Sequence, residues 1–151
     1  MLRLLAGAVL AAFAASCGAG RPAPLAEALV TGDQPPAVTL AVDRTSLPSR
    51  EVLVATVTVI NRSADSVELH FLTTQRYDFA FTDAAGHEVY RWASDMMFGQ
   101  SIGELALGPA DRRVFVERLR APAEPGVYRL AGTIVATGSP LTASTLITVT
   151  R

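Results

Sequence analysis

Residues 53–60 read Leu-Val-Ala-Thr-Val-Thr-Val-Ile. Leu53, Ala55, Val57 and Val59 alternate with Val54, Thr56, Thr58 and Ile60. Successive side chains on a strand point to opposite faces, so this stretch offers one apolar face to a core. β-Branched residues dominate it, as a pleated, half-buried surface favours. The same period of two runs outward in both directions. Val38, Leu40 and Val42 carry it before. Val67, Leu69 and Phe71, then Tyr77, Phe79 and Phe81, carry it after. Further strands are expected at Glu88–Trp92, Arg113–Leu119, Val127–Val135 and Thr142–Thr150. Turn residues separate them: Leu47-Pro48-Ser49, Asn61-Arg62-Ser63, Asp83-Ala84-Ala85-Gly86, Leu107-Gly108-Pro109, Glu124-Pro125-Gly126 and Thr137-Gly138-Ser139-Pro140. No segment after Pro36 shows a helical stripe of useful length. The fold expected is all-β, an antiparallel β-sandwich of about seven to nine strands over residues 38–151.

Two local signals refine that reading. Gly86 suits the positive φ of a hairpin bulge. Pro125-Gly126-Val127-Tyr128 resembles the start of a late strand in immunoglobulin-like sandwiches. Tyr128 there either forms a tyrosine corner, its hydroxyl bonding back to nearby backbone, or simply packs in the core.

The chain starts differently. Arg3 precedes a continuous apolar run from Leu4 to Ala15, then Ala14-Ala15-Ser16 leads to Cys17, the one cysteine of the chain. Twelve apolar residues are too short for a membrane-spanning helix but suit a signal-peptide core. The stretch resembles a bacterial lipobox, in which the cysteine is acylated and becomes the new N-terminus, although Ala14 stands where leucine is usual. An ordinary signal peptide cut near Ala15 and an apolar core helix are the other readings. The short run and the position of Cys17 favour lipidation, which would hold a soluble domain at a membrane. Gly18 carries no inner-membrane retention residue, which points to the outer membrane in a two-membrane envelope. The expected organisation is a signal peptide over 1–16, a lipid-anchored tether over 17–37 punctuated by Pro22, Pro24, Pro35 and Pro36, and the folded domain from Val38 on. The protein is expected on the periplasmic or cell-surface side of the envelope.

Composition narrows the function. All thirteen basic residues are arginine against fourteen acids, for a formal net charge of -1. Neither the balance nor the scatter of the arginines, apart from the pair Arg112–Arg113, suggests nucleic-acid binding. One cysteine allows no internal disulfide. The two histidines, His70 on the polar phase of its strand and His87 after the hairpin glycine, read as surface residues. Neither metal nor cofactor has a recognisable ligand set: more His, Cys or clustered carboxylates would be needed, and Asp78 and Asp83 do not make a calcium loop. Nucleophile elbow, phosphate loop and dinucleotide fingerprint are missing from the sequence. Carboxylate pairs of the glycosidase kind leave no local signature, and nothing singles one out. The domain therefore reads as non-catalytic.

The unusual segment is Gln75 to Gly103, which holds the one tryptophan, two of three tyrosines and three of six phenylalanines. Apolar groups continue past Trp92 into an expected loop, with Met96, Met97 and Phe98 in sequence. A Met-rich loop adapts to partner surfaces. These side chains are candidate partner contacts within Ser94–Gln100. The structural alternative is that Trp92, Met97 and Phe98 fold back and plug one end of the sandwich. Trp92 is expected to be largely buried, near Phe79 or Phe81.

This segment also carries a family resemblance. Gln75-Arg76-Tyr77-Asp78-Phe79, then Asp83 to Gly86, then Glu88-Val89-Tyr90-Arg91-Trp92, then Met97-Phe98 resemble the core motif of the bacterial intracellular proteinase inhibitor (BsuPI) family. Gly126 and Tyr128 fit the later part. The likeness spans roughly Leu53 to Ala131, with Ala93 where serine is common. It implies an immunoglobulin-like β-sandwich and, from the name-giving members, inhibition of serine proteinases. A lipoprotein outside the cytoplasm would need a target there, and a shared fold need not carry a shared activity. Two functions stand at this point. One is an envelope inhibitor with a protein partner, a serine proteinase. The other is an immunoglobulin-like module that docks protein or glycan through a sheet edge or the 93–103 loop. Exposure of Met96 to Phe98 on a protruding loop favours the first; their burial favours the second.

Overall fold

Alternation becomes pairing in the computed structural model, which describes residues 34–138 and 140–151. The expected signal segment 1–16, the acylation site Cys17 and the tether up to residue 33 lie outside the described residues. Ten strands follow in order: β1 (Ala37–Val42), β2 (Ser46–Pro48), β3 (Val52–Ile60), β4 (Val67–Phe71), β5 (Tyr77–Thr82), β6 (Glu88–Arg91), β7 (Gly103–Leu107), β8 (Arg112–Arg120), β9 (Gly126–Ile134) and β10 (Leu141–Thr150). A 3-10 turn, Trp92–Asp95, stands between β6 and β7. The all-β sandwich read from the sequence is the fold. Its ten strands exceed the seven to nine expected because two short ones, β2 and β7, lie in stretches that read as turn and loop.

A three-stranded sheet, β1-β3-β8, faces a five-stranded sheet, β2-β10-β9-β5-β6, and β4 pairs with β7 in a third, two-stranded sheet. Pairing is antiparallel except between β2 and β10, which run parallel. Leu53, Ala55, Val57 and Val59 of β3 are all fully buried, as the alternation requires. Opposite them the second sheet contributes Phe79, Phe81, Leu130, Ile134 and Ile147. Gly132 of β9 sets how closely the sheets approach. A Cβ there would lie 3.1 Å from Leu40, 3.2 Å from Phe79 and 3.3 Å from Val57, so a side chain would push the layers apart.

The β5–β6 hairpin turns at Gly86, whose φ is +88° with open space around its missing Cβ, so backbone conformation selects glycine there. Asp83 closes the turn: its Oδ1 accepts from the N–H groups of Ala85 (2.9 Å) and His87 (2.8 Å). The His87 bond is the chief reason its carboxyl is held below the usual range. The Gly86 N–H donates to the Asp83 carbonyl at 3.1 Å and the Asp83 N–H to the His87 carbonyl at 2.9 Å, the pairing of the bulge expected at Gly86; a separate register shift between Phe81 and Thr82 leaves Val89 as an extra residue on β6.

Both readings of Tyr128 hold together. Its ring is buried against Phe81 at 6.4 Å, and its hydroxyl donates to the Glu124 carbonyl at 2.8 Å, four residues back. That is a tyrosine corner in an immunoglobulin-like sandwich.

Candidate partner-binding segment

The site begins with a strand that presents different chemistry on its two faces. On β5, Tyr77, Phe79 and Phe81 follow the inward phase. Tyr77, at the strand's start, is only half-buried and faces the open side of the sandwich. Its ring stacks on Phe115 of β8 at 4.7 Å and on Trp92 at 4.9 Å, with Phe79 edge-on at 5.9 Å. Aromatic pairs of this geometry contribute ~0.5–1.5 kcal/mol each beyond burial. The Tyr77 hydroxyl donates to Glu117 Oε1 at 2.5 Å. Burial, reinforced by that hydrogen bond and the charge of Glu117, pushes the phenol up to about 12.

A pH dependence follows. The folded pKa of Tyr77 is raised above its ordinary value of 10, so its contribution to stability is complete below pH 10 and is lost as pH rises towards about 12. Tyrosinate absorbance across an alkaline titration should show late-titrating phenols, and Tyr77→Phe should remove one of them. If the Phe variant instead loses absorbance near pH 10 and keeps the whole late phase, the Glu117 contact does not form.

Trp92 is half-buried and stacks on Tyr77, not on Phe79 or Phe81 as expected from the sequence. The reason is local. Pairing of β6 with β5 ends at Arg91 opposite Ala80, and Trp92 opens the 3-10 turn. The chain has already left the sheet there, so the indole covers the ring of Tyr77 from outside.

Asp78 sets where that turn starts. It lies on the outward phase of β5 yet is only 4% exposed, because the turn and Arg91 cover it. Its Oδ1 accepts from the N–H of Phe79 at 2.8 Å and of Ala93 at 3.1 Å, and its Oδ2 accepts from Arg91 Nη1 at 2.6 Å. Arg91 also pairs with Glu88. Met96 then closes the turn by donating to the Ala93 carbonyl at 3.1 Å.

The far end of the segment is fixed by Thr74. Its Oγ1 accepts from the Gly99 N–H at 2.9 Å, and its own N–H donates to the Gly99 carbonyl at 3.0 Å. A Cβ on Gly99 would sit 3.2 Å from the Thr74 methyl, so the close pairing favours glycine. Gln75 supports the run-up by donating to the Tyr77 carbonyl at 3.1 Å. Arg76 lies over the Phe71 ring at 4.5 Å and donates to the Thr73 carbonyl at 2.7 Å. Its guanidinium occupies the space a side chain at residue 103 would need: a Cβ on Gly103 would lie 2.0 Å from Nη2.

Residues 94–98 therefore bow out between two fixed points. Phe98 folds back, half-buried, with its ring 6.0 Å from Trp92. Met96 is 44% exposed, and the Met97 side chain stands wholly in solvent at 101%. The three candidate contacts thus divide. Phe98 belongs to the support, as the plugging alternative had it, whereas Met97 forms the crest. Of the other residues singled out in the sequence, Gln75, Tyr77, Asp78 and Trp92 are brought together beneath this crest. Tyr90 packs on Phe81 at 6.1 Å, and Gly86 and Tyr128 serve the hairpin and the corner. Thr74 and Arg76 were missed as positioning residues; Gly99 and Gly103, late in the loop, were the traces they left. Among the described residues no group of three or more His, Cys, Asp or Glu side chains converges as metal ligands would.

The model of the BsuPI family, described as intracellular proteinase inhibitor, matches residues 40–139. No curated protein matches the chain. Among solved structures it is similar to the sporulation control protein Spo0M from Bacillus subtilis, with a TM-score of 0.52 and 11% identity over 77% of this chain and 49% of that one. It is also similar to the C-terminal domain of wzt, with a TM-score of 0.51 and 18% identity over 76% of this chain and 71% of that one. The chain thus spans about half the length of the sporulation control protein. At these identities the likeness shows the fold alone. The family match is of a different kind: it covers β3 to β9 entire, with Gln75, Tyr77, Asp78, Trp92 and Phe98 that build the Met97 segment, and the chain belongs to the intracellular proteinase inhibitor (BsuPI) family.

Proposed function

We propose that the protein is a membrane-anchored lipoprotein of the bacterial cell envelope whose domain inhibits a serine proteinase outside the cytoplasm. The observation that carries this reading is the wholly exposed Met97, held at the crest of a segment tied down at Ala93 and at Gly99. An inhibitor works by offering an enzyme cleft a preformed protrusion, so that little ordering entropy is lost on binding. Met97 has the size and softness to enter an apolar specificity pocket, and family membership supplies the expectation of inhibition.

The test is inhibition of a panel of subtilisin-like and chymotrypsin-like enzymes by the purified protein. Removing a central apolar anchor typically costs ~2–4 kcal/mol of binding. Met97→Ala should therefore weaken inhibition at least about thirtyfold, while the thermal transition stays within error of the parent because the side chain touches nothing that holds the fold. If no enzyme of the panel is slowed at micromolar protein, the inhibitor reading falls.

Anchoring has its own test. The apolar run before Cys17 supports acylation there, and Cys17→Ser should leave the protein unprocessed or release it from the membrane fraction. Mass spectrometry of the mature N-terminus decides: acyl chains on the cysteine support the anchor, and a free cleavage product removes it.

A further inference from the structure

Strand β8 ends the three-stranded sheet. Among the described residues it is hydrogen-bonded to β3 on one side and to no strand on the other. It is nine residues long, so alternate residues present a long row of unpaired N–H and C=O groups. Its sequence is Arg-Arg-Val-Phe-Val-Glu-Arg-Leu-Arg. The register with β3 sets Phe115 opposite Val57 and Leu119 opposite Leu53, which turns Arg113, Phe115, Glu117 and Leu119 to the inner face. Arg112, Val114, Val116, Arg118 and Arg120 then line the outer face at a period of two. Val114 and Val116 are 50% and 55% exposed.

Charge decides what this edge takes. Among the described residues none of the four arginines of β8 forms an ion pair; the pairs present use Arg44, Arg91 and the histidines. The strand's one acid, Glu117, is engaged by Tyr77. The edge is therefore strongly positive in a chain of net charge -1. A second copy does not suit it: antiparallel self-pairing about Val116 would set Arg112 of one copy against Arg120 of the other and Val114 against Arg118. We propose that the free edge of β8 binds an extended acidic segment of a partner protein by strand addition. Carboxylates of that segment would meet Arg112, Arg118 and Arg120, and apolar residues between them would cover Val114 and Val116. Main-chain pairing supplies affinity and the alternating side chains supply selectivity. An anionic bilayer would satisfy the arginines but not the row of backbone groups. The edge needs no contact from Met97, so it stands whether or not that residue enters a proteinase.

The experiment uses the purified full chain and the fluorescent nonapeptide Glu-Thr-Glu-Thr-Val-Thr-Val-Thr-Glu, whose outward phase in antiparallel register sets glutamates against Arg120, Arg118 and Arg112 and valines against Val116 and Val114, read by anisotropy and by amide hydrogen exchange. Saturable binding with slowed exchange at the β8 amides is expected. Arg118→Glu with Arg120→Glu should weaken it at least about tenfold, the effect of setting like charges against a charged ligand. Arg112→Glu alone should weaken it in the same direction, and serves if the double variant does not fold. Met97→Ala should leave it unchanged. Equal binding of the same peptide with lysine in place of glutamate, or with proline in place of threonine so that it cannot pair as a strand, would overturn the proposal. So would binding without protection of β8, no saturable binding, or arginine-dependent uptake on phosphatidylglycerol vesicles with no affinity for the peptide.

Discussion

Asn61→Asp is expected to cost the domain a large share of its stability at neutral pH. Asn61 is fully buried where β3 ends. Its Nδ2 donates to the carbonyls of Asp65 (2.7 Å), Leu107 (3.0 Å) and Gly108 (3.0 Å), so that one of its two N–H groups is shared. Its Oδ1 accepts from the N–H and hydroxyl of Ser63 at 2.9 and 2.8 Å. One side chain thus ties the end of β3 to the end of β7 and shapes the turn before β4. A carboxylate in its place would turn an oxygen, without a proton and with charge, towards three carbonyl oxygens. Stranding a buried charge in this way typically costs ~3–5 kcal/mol, against a total of about 5–15 kcal/mol for an ordinary domain.

The pH dependence of that loss has a definite sign. Protonation gives the introduced carboxyl one donor back, so its folded pKa would lie above the ordinary ~3.9 of an aspartate. The deficit should be smallest below about pH 4 and grow as pH rises through the folded value. Asn61→Ala, which removes the bonds and adds no charge, should cost less at pH 7. Urea midpoints of the three proteins at pH 7 and at acid pH measure all of this. If the Asp variant unfolds within 1 kcal/mol (about the worth of one ordinary hydrogen bond) of the parent at pH 7, the buried network is not what joins these strands.

How much of this was legible follows the same physics. The alternation of Leu53 to Val59 is a regular pattern over a long strand, and it reads correctly because one face is wholly buried. The hairpin at Gly86 and the corner at Tyr128 depend on local chemistry within a few residues, and both were readable. Strand β2 was not. It has three residues, one of them proline, and its pairing with β10 is about a hundred residues away in sequence. Strand β7 carried a usable signal, Leu105 and Leu107 alternating with Glu104 and Ala106, but it follows the Met-rich stretch and reads as its continuation. Asn61 looks like any turn asparagine until the carbonyls of Leu107 and Gly108 arrive from more than forty residues away. The composition of the 94–100 segment marked it as unusual. Which of Met96, Met97 and Phe98 points outward depends on where Asp78 and Thr74 fix its ends, and no periodicity records that. The β8 arginines read as scattered apart from the pair Arg112–Arg113; their place at the end of the three-stranded sheet makes them an edge.

Asp78→Ala is expected to release one end of the Met97 segment and so to weaken inhibition although Met97 itself is kept. The carboxylate of Asp78 is buried, and three donors converge on it: the N–H groups of Phe79 and Ala93 and the guanidinium of Arg91. Losing the acceptor leaves the Ala93 N–H partly buried without a partner and Arg91 with Glu88 alone. Buried hydrogen bonds to a charged group contribute ~1.5–3 kcal/mol each, so a loss of about 2–4 kcal/mol in the urea midpoint is expected. The functional effect has a separate origin. With Ala93 untied, the turn no longer fixes one end of residues 94–98, and the segment must be ordered on binding at the expense of affinity. Asp78→Asn separates the two roles. Its Oδ1 can still accept from Ala93 and Phe79, while its NH2 faces the Arg91 guanidinium as a second donor. It should therefore keep the turn and lose mainly the ion pair, at about 1 kcal/mol, since Arg91 is nearly half exposed and keeps Glu88 as a partner. The readout that a purely structural role would not move is amide exchange at Ala93, which should speed up in the Ala variant and stay slow in the Asn variant. Inhibition should follow that order. Equal inhibition by the Ala variant and the parent would mean that the segment needs no fixed base, and that Met97 acts without preorganisation.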